Sequence, residues 1–307
     1  MGTYRKYTLD VDYFKSIDSR EKAYWLGFLY ADGNISIRYY NDNIRAIKLE
    51  FSLQQEDTYA LENFKNNIQT DIPIKTKKTK LNDREYISSR LVINNTEFCK
   101  NLINLGCIPN KTFSLEFPNE LILKKDFYPD FIRGYFDGDG CVYVDKNNQI
   151  LINLLGTENM LLNIKKILDE NGIHTDSEVK KHNNIYTFSF HGNNNGFNFF
   201  KYIYYYETFC LLRKKEKFYK YCNINHGDYR FFQNIWCEYH PCHKTKNLEK
   251  FNCLFCYCPL NSHKDCGGNF TILPNGIKDC SMCLIPHYNY DYIINKIIKN
   301  NLELKGD

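Results

Sequence analysis

Two sets of residues in this 307-residue chain have types and spacings suited to chemistry. The first is a thiol run near the C-terminus: Cys237, Cys242, Cys253, Cys256, Cys258, Cys266, Cys280 and Cys283, interleaved with His240, His243, His263 and His287. Short Cys-x2-Cys pairs separated by longer loops are what tetrahedral Zn²⁺ sites use. The eight thiols suffice for two all-thiolate sites, or histidines replace some of them; an iron–sulfur cluster and a structural or redox thiol set without metal are the alternatives. The second set is a repeated acidic word. Ala23-Tyr-Trp-Leu-Gly27-Phe-Leu-Tyr-Ala-Asp32-Gly33 is echoed by Phe131-Ile-Arg-Gly134-Tyr-Phe-Asp-Gly-Asp139-Gly140. Small residues four apart (Gly27 and Ala31, Gly134 and Gly138) let two helix backbones approach closely. Such pairing brings Asp32 and Asp139 together at two helix C-termini, where the helix dipoles and their mutual repulsion both oppose the charge. A divalent cation such as Mg²⁺, which takes carboxylates, water and phosphate oxygens, resolves that conflict. Asp137 points about 160° away from Asp139 around an ideal helix and is expected to matter less. Gly33 and Gly140 are expected to close their helices with a left-handed turn.

The elements that must hold these words repeat as well. After the first word, alternating segments at 34–40 and 45–53 read as a hairpin. Residues 56–68 carry Tyr59, Ala60, Phe64 and Ile68 at helical spacing. Strand patterns at 72–79 and 85–93 and a helix from about 96 to 105 complete this half. The second word is followed by strands at 141–145 and 150–155, a helix at 159–170, strands at 175–181 and 185–191, and a helix at 197–205. The fold class is therefore α+β: two pseudo-symmetric αββαββα halves, 1–125 and 126–225, and a cysteine-rich domain at 229–300 held by metal. A basic helix at 211–221 and a linker at 223–228 join them. The five scattered cysteines, Cys99, Cys107, Cys141, Cys210 and Cys222, are expected to be buried apolar thiols.

Residues 25–33 and 132–140 resemble the two copies of the motif that names the LAGLIDADG homing endonucleases. The resemblance extends over roughly residues 20–221, including 106–111 and 210–217. The family's metal-binding acid falls on Asp32 and Asp139 and its helix-crossing glycine on Gly27 and Gly134; Tyr30 departs from the acid at the sixth position. The resemblance implies a monomer with two β-saddles in the DNA major groove, and hydrolysis of both strands with Mg²⁺ or Mn²⁺ at Asp32 and Asp139. It also makes Gln54, at the end of the second strand, a catalytic candidate, although Leu155-Gly156 offers no counterpart. Residues 230–295 are similar to a small cysteine-rich domain of prokaryotic proteins to which zinc binding is ascribed; the matching words include Phe251-Asn-Cys-Leu-Phe-Cys-Tyr-Cys-Pro259 and Cys266-Gly-Gly-Asn-Phe270.

On this reading the footprint on double-stranded DNA comprises Arg38, Arg45, Lys48, Lys75, Lys77, Lys78, Lys80 and Arg84 in the first half, and Lys146, Lys180 and Lys181 in the second. Strands alternate faces, so about half of these are expected to face one groove. The net charge of +4 is too mild to imply nucleic acid without such clustering, and residues 226–307 carry 9 basic and 8 acidic side chains, which marks no strong anchor there. The chain contains no apolar run of about 20 residues, so no membrane partner is expected. Nor is there a signal-like leader, and the expected location is cytoplasmic. The rival reading is a catalytically silent DNA- or RNA-binding protein, a regulator or maturase, on the same saddle.

Overall fold

The computed structural model describes residues 7–81, 84–144, 149–222, 229–245 and 247–303. The first half runs α1 (Arg20–Asp32), β1 (Gly33–Tyr40), β2 (Asn43–Gln54), α2 (Thr58–Asn67), β3 (Lys75–Leu81), β4 (Arg84–Ile93) and α3 (Thr96–Asn104). The second repeats it as α4 (Tyr128–Asp139), β5 (Gly140–Val144), β6 (Ile150–Gly156), α5 (Glu158–Glu170), β7 (Val179–His182), β8 (Ile185–His191) and α6 (Asn193–Tyr204), followed by α7 (Leu212–Cys222). The two antiparallel four-stranded sheets have matching orders, β1-β2-β4-β3 and β5-β6-β8-β7. In each, one face is packed on the helices. Ile35, Ile47, Leu49, Phe51 and Leu91 line that face in the first sheet, and Val142, Ile152, Leu154, Phe188 and Phe190 in the second. The opposite face is left to solvent. Among the described residues no helix is long and apolar enough to cross a membrane.

Three elements differ from the sequence expectation. β3 begins at Lys75, not at residue 72, because Pro73 has no N–H for the ladder. β7 begins at Val179, four residues later than expected. α6 begins at Asn193, so the Asn193-Asn194-Asn195 run is its first turn; Gly192, at φ 105°, starts it, and the Asn193 side chain accepts from Ile150 N at 3.1 Å. Gly33 and Gly140 are not left-handed. Their φ values are −72° and −96°, and each helix passes straight into a strand. Glycine is needed there for space: a Cβ on Gly33 would lie 2.6 Å from Leu29 O, and one on Gly140 2.6 Å from Phe136 O. Of the scattered cysteines, Cys99, Cys107 and Cys210 are buried, but Cys141 is exposed because strand alternation sets it opposite buried Val142. The side chain of Cys222 and the linker at 223–228 lie outside the described residues.

The tail contains a two-stranded ribbon of β9 (Thr271–Ile272) and β10 (Lys278–Asp279), then α8 (Ile285–Tyr288) and α9 (Tyr290–Glu303). Its first part is continuous with the main body. Ile235 and Leu248 join the main core, Trp236 packs on Phe200 and Tyr205 of the second half, and Lys201 Nζ donates to His240 O at 3.0 Å. Its second part has a small core of its own, built on Leu260, Cys266 and Ile293.

Candidate active site

The site rests on the crossing of α1 and α4. A Cβ on Gly27 would lie 2.0 Å from Phe131 O, and one on Gly134 2.0 Å from Tyr24 O, so any larger residue forces the two backbones apart. Further along, Gly138 abuts Ala31, and Asp32 Oδ2 lies 3.3 Å from the place a Gly138 Cβ would occupy. Asp32 and Asp139 therefore meet at the common end of the two helices, beside the origin of both sheets. Asp32 is exposed to solvent yet crowded by the protein atoms around it. That crowding, followed by the charge of Asp139, pushes its pKa up to about 6. Burial likewise raises Asp139, against the pull of Lys111 and Lys214.

Those two lysines were not singled out in the sequence. Lys111 Nζ donates to Ala31 O at 2.8 Å, and Lys214 Nζ donates to the carbonyls of Phe136 (2.7 Å), Asp137 (2.6 Å) and Gly140 (2.6 Å). Each places a positive charge on the negative end of one helix, which offsets the cost of an aspartate there. Burial lowers both, Lys214 to about 8. A signal for them existed: Cys107-x3-Lys111 recurs as Cys210-x3-Lys214, displaced by 103 residues at both positions.

The sixth position of each motif copy fixes the lysine-bearing segment. Asp137 is buried and accepts from Tyr24 Oη and Leu211 N, both at 2.8 Å, while its other oxygen has no partner. Tyr30, which replaces acid in the first copy, donates its hydroxyl to Leu105 O at 2.5 Å. The polarity is reversed and the task is the same. Each segment is also latched to the opposite half. Thr157 Oγ1 donates to Leu115 O and Phe117 N to Asn159 Oδ1 (2.9 Å); in return Arg213 pairs with buried Asp57 at 2.9 Å, and Leu212 N donates to Tyr59 Oη at 2.8 Å.

Gln54 is exposed at the central end of β2, but it makes no hydrogen bond to Asp32 or Asp139. The registers Gly33↔Phe51 and Gly140↔Leu154 make Thr157 its counterpart, and Thr157 is occupied as the cap of α5.

The basic candidates divide by face. Pairing of Lys75 with Arg90 and of Lys77 with Ser88 sets both lysines on the open face with Arg38 and Lys48. Lys78 and Lys80 pair with Ile87 and Glu85, on the other face, and Lys78 forms an ion pair with Glu85 at 3.2 Å. Arg45 is exposed at the β1–β2 bulge, 5.9 Å from the Tyr40 ring centroid. In the second sheet Lys180 pairs with Thr187 on the open face, and Lys181 with Tyr186 on the other. The Arg84 side chain and Lys146 lie outside the described residues.

The donors at the helix ends are carboxylate oxygens with solvent access, the kind that Mg²⁺ or Mn²⁺ accepts. The tail's thiols fall into two groups in chain order. Cys237, Cys242, Cys253 and Cys256 line one cavity; Cys258, Cys266, Cys280 and Cys283 line another, where Lys278 Nζ donates to Cys266 Sγ at 3.0 Å. Both donor sets suit a thiophilic ion such as Zn²⁺.

Residues 126–222 match a family model described as a LAGLIDADG-like domain, and residues 228–307 one described as a cysteine-rich small domain. The chain thus carries both, and its first half repeats the element order of the LAGLIDADG-like second half. No curated protein matches it. Among solved structures, the homing endonuclease I-WcaI bound to its DNA recognition sequence is similar at 15% identity and a TM-score of 0.48, over 67% of this chain and 90% of that one. The meganuclease I-AabMI bound to uncleaved DNA matches at 14% identity and 0.43, over 66% and 89%. I-SmaMI bound to cleaved DNA matches at 13% and 0.45, over 68% and 89%.

Proposed function

We propose that this chain is a site-specific, metal-dependent endonuclease of homing type that cuts both strands of DNA. The observation that carries the reading is the paired site. Each half delivers one aspartate to a shared helix end, and each delivers one lysine to the backbone beside it. Asp32 and Asp139 hold a divalent ion, and Lys111 and Lys214 balance the negative charge that two carboxylates and a phosphate concentrate there. Bound there, Mg²⁺ or Mn²⁺ supplies an activated water and a counter-charge for the phosphate oxygens. The open faces of the two sheets hold the duplex, with Arg38, Lys48, Lys75 and Lys77 on one side of the site and Lys180 on the other. The tail's thiols hold zinc and stabilise a module docked on the second half.

The test is incubation of the full chain with a randomised duplex library, with Mg²⁺ or with EDTA. Cleavage within one recognition sequence in Mg²⁺, and none in EDTA, is the expected result. Sequence-selective binding without cleavage in either condition favours the regulator or maturase, and absence of binding removes the reading altogether.

A further inference from the structure

We infer that Cys242, His243 and His287 are ligands of one divalent ion of the zinc class, so that the first metal site of the tail is of mixed sulfur–nitrogen type and not all-thiolate. The three donor atoms lie within 4.8 Å of one another, the tightest convergence of metal-ligating groups among the described residues. Cys242 Sγ is 3.2 Å from His243 Nδ1 and 3.6 Å from His287 Nε2. A tetrahedral ion with Zn–S near 2.3 Å and Zn–N near 2.05 Å has sulfur–nitrogen edges of about 3.6 Å, so the His287 distance matches and the His243 distance is within about 0.4 Å of it.

The tautomers settle which atoms point inward. His287 Nδ1 lies 2.8 Å from Asn252 O, an acceptor, so that nitrogen carries the proton and Nε2 presents its lone pair to Cys242. His243 Nε2 lies 3.4 Å from Cys280 O, so its Nδ1 presents its lone pair to the same sulfur. Two imidazole lone pairs and a sulfur converge, and the only hydrogen among them is that of the thiol. One proton cannot serve both nitrogens. A cation serves all three, and outer nitrogens bonded to backbone carbonyls are the usual device that fixes ligating imidazoles. Phe251 stacks on the buried His287 ring at 4.1 Å and holds it in place. Cys280 belongs to the second thiol group, so His243 also ties the two lobes of the tail together.

The inference does not depend on the nuclease reading. It is tested by X-ray absorption at the zinc edge on the full chain as purified with zinc. The expected spectrum contains imidazole scattering beside the sulfur shell, and His243→Ala and His287→Ala each lower that contribution. Because His243 is only half-buried, its variant is expected to fold even where the His287 variant does not. A sulfur-only shell in the unaltered protein overturns the inference, as does an imidazole contribution that neither variant changes.

Discussion

Asp32, Asp139, Lys111 and Lys214 form one electrostatic unit, and its protonation sets a pH window. Crowding and the neighbouring carboxylate hold Asp32 at about 6, so below that pH its ionised fraction, and with it the proposed cation binding, is expected to fall tenfold per unit. Burial holds Lys214 at about 8, so its charge is lost above that. Cleavage is therefore expected to rise through about pH 6 and to decline above about pH 8; a flat rate from pH 5 to 9 would contradict these roles. Stability has the opposite slope at the acid end. Asp32 and Asp137 are both raised in the fold, so the metal-free fold holds more protons than the unfolded chain between about pH 4 and 6 and loses stability as pH rises through that range. Melts with Mg²⁺ should recover part of the loss, by way of Asp32. The acids were legible because a carboxylate at a helix end is locally unfavourable and occurred twice in register. The lysines were not, because their role depends on contact with helix carbonyls about 80 residues away in sequence.

At the scale of elements, the determinant is how closely α1 and α4 approach. Gly134→Ala sets a methyl 2.0 Å from Tyr24 O and 2.8 Å from Phe28 N, both backbone atoms that cannot swing aside. It should cost about 3 kcal/mol or more and lower the melting temperature by several degrees at least; a variant as stable as the parent would mean the helices do not cross here. The small-residue stripe makes this crossing readable in the sequence. The handedness of Gly33 and Gly140 is not legible in the sequence, because a glycine needed for space and one needed for positive φ look the same there. The start of α6 was missed because three consecutive asparagines favour loops and caps, and only Gly192 and the Asn193 contact to Ile150 N show that they begin a helix. The Asp57–Arg213 latch, 156 residues apart, leaves no local pattern at all.

For the whole molecule, the two halves present unequal charge. Lys75 and Lys77 lie on the open face of the first sheet, and Lys78 and Lys80 do not. Replacing the first pair with alanine should flatten the slope of log affinity against log salt by about 0.9 for each lost phosphate contact, and replacing the second pair should leave it unchanged. Equal slopes for the two double variants would place the DNA elsewhere. The tail's second lobe has a small apolar core, built on Leu260, Cys266 and Ile293, and is expected to need the proposed metal to hold its fold. Chelation should expose residues 258–289 to protease before any cut within 7–222, and an intact, metal-free tail would contradict this. The tail's two groups of thiols were legible in their spacing; its docking on the second half was not, because it rests on Trp236 meeting Phe200 and Tyr205 and on Ile235 and Leu248 joining the main core. The central claim is that Asp32 and Asp139 together hold the ion that cuts DNA. The most direct measurement is double-strand cleavage of the selected target in Mg²⁺ by Asp32→Asn and Asp139→Asn, alongside their DNA affinity. Each substitution keeps the side chain's shape and removes its charge, so cleavage should fall by about two orders of magnitude or more while binding is retained. Full cleavage by both variants would contradict the account.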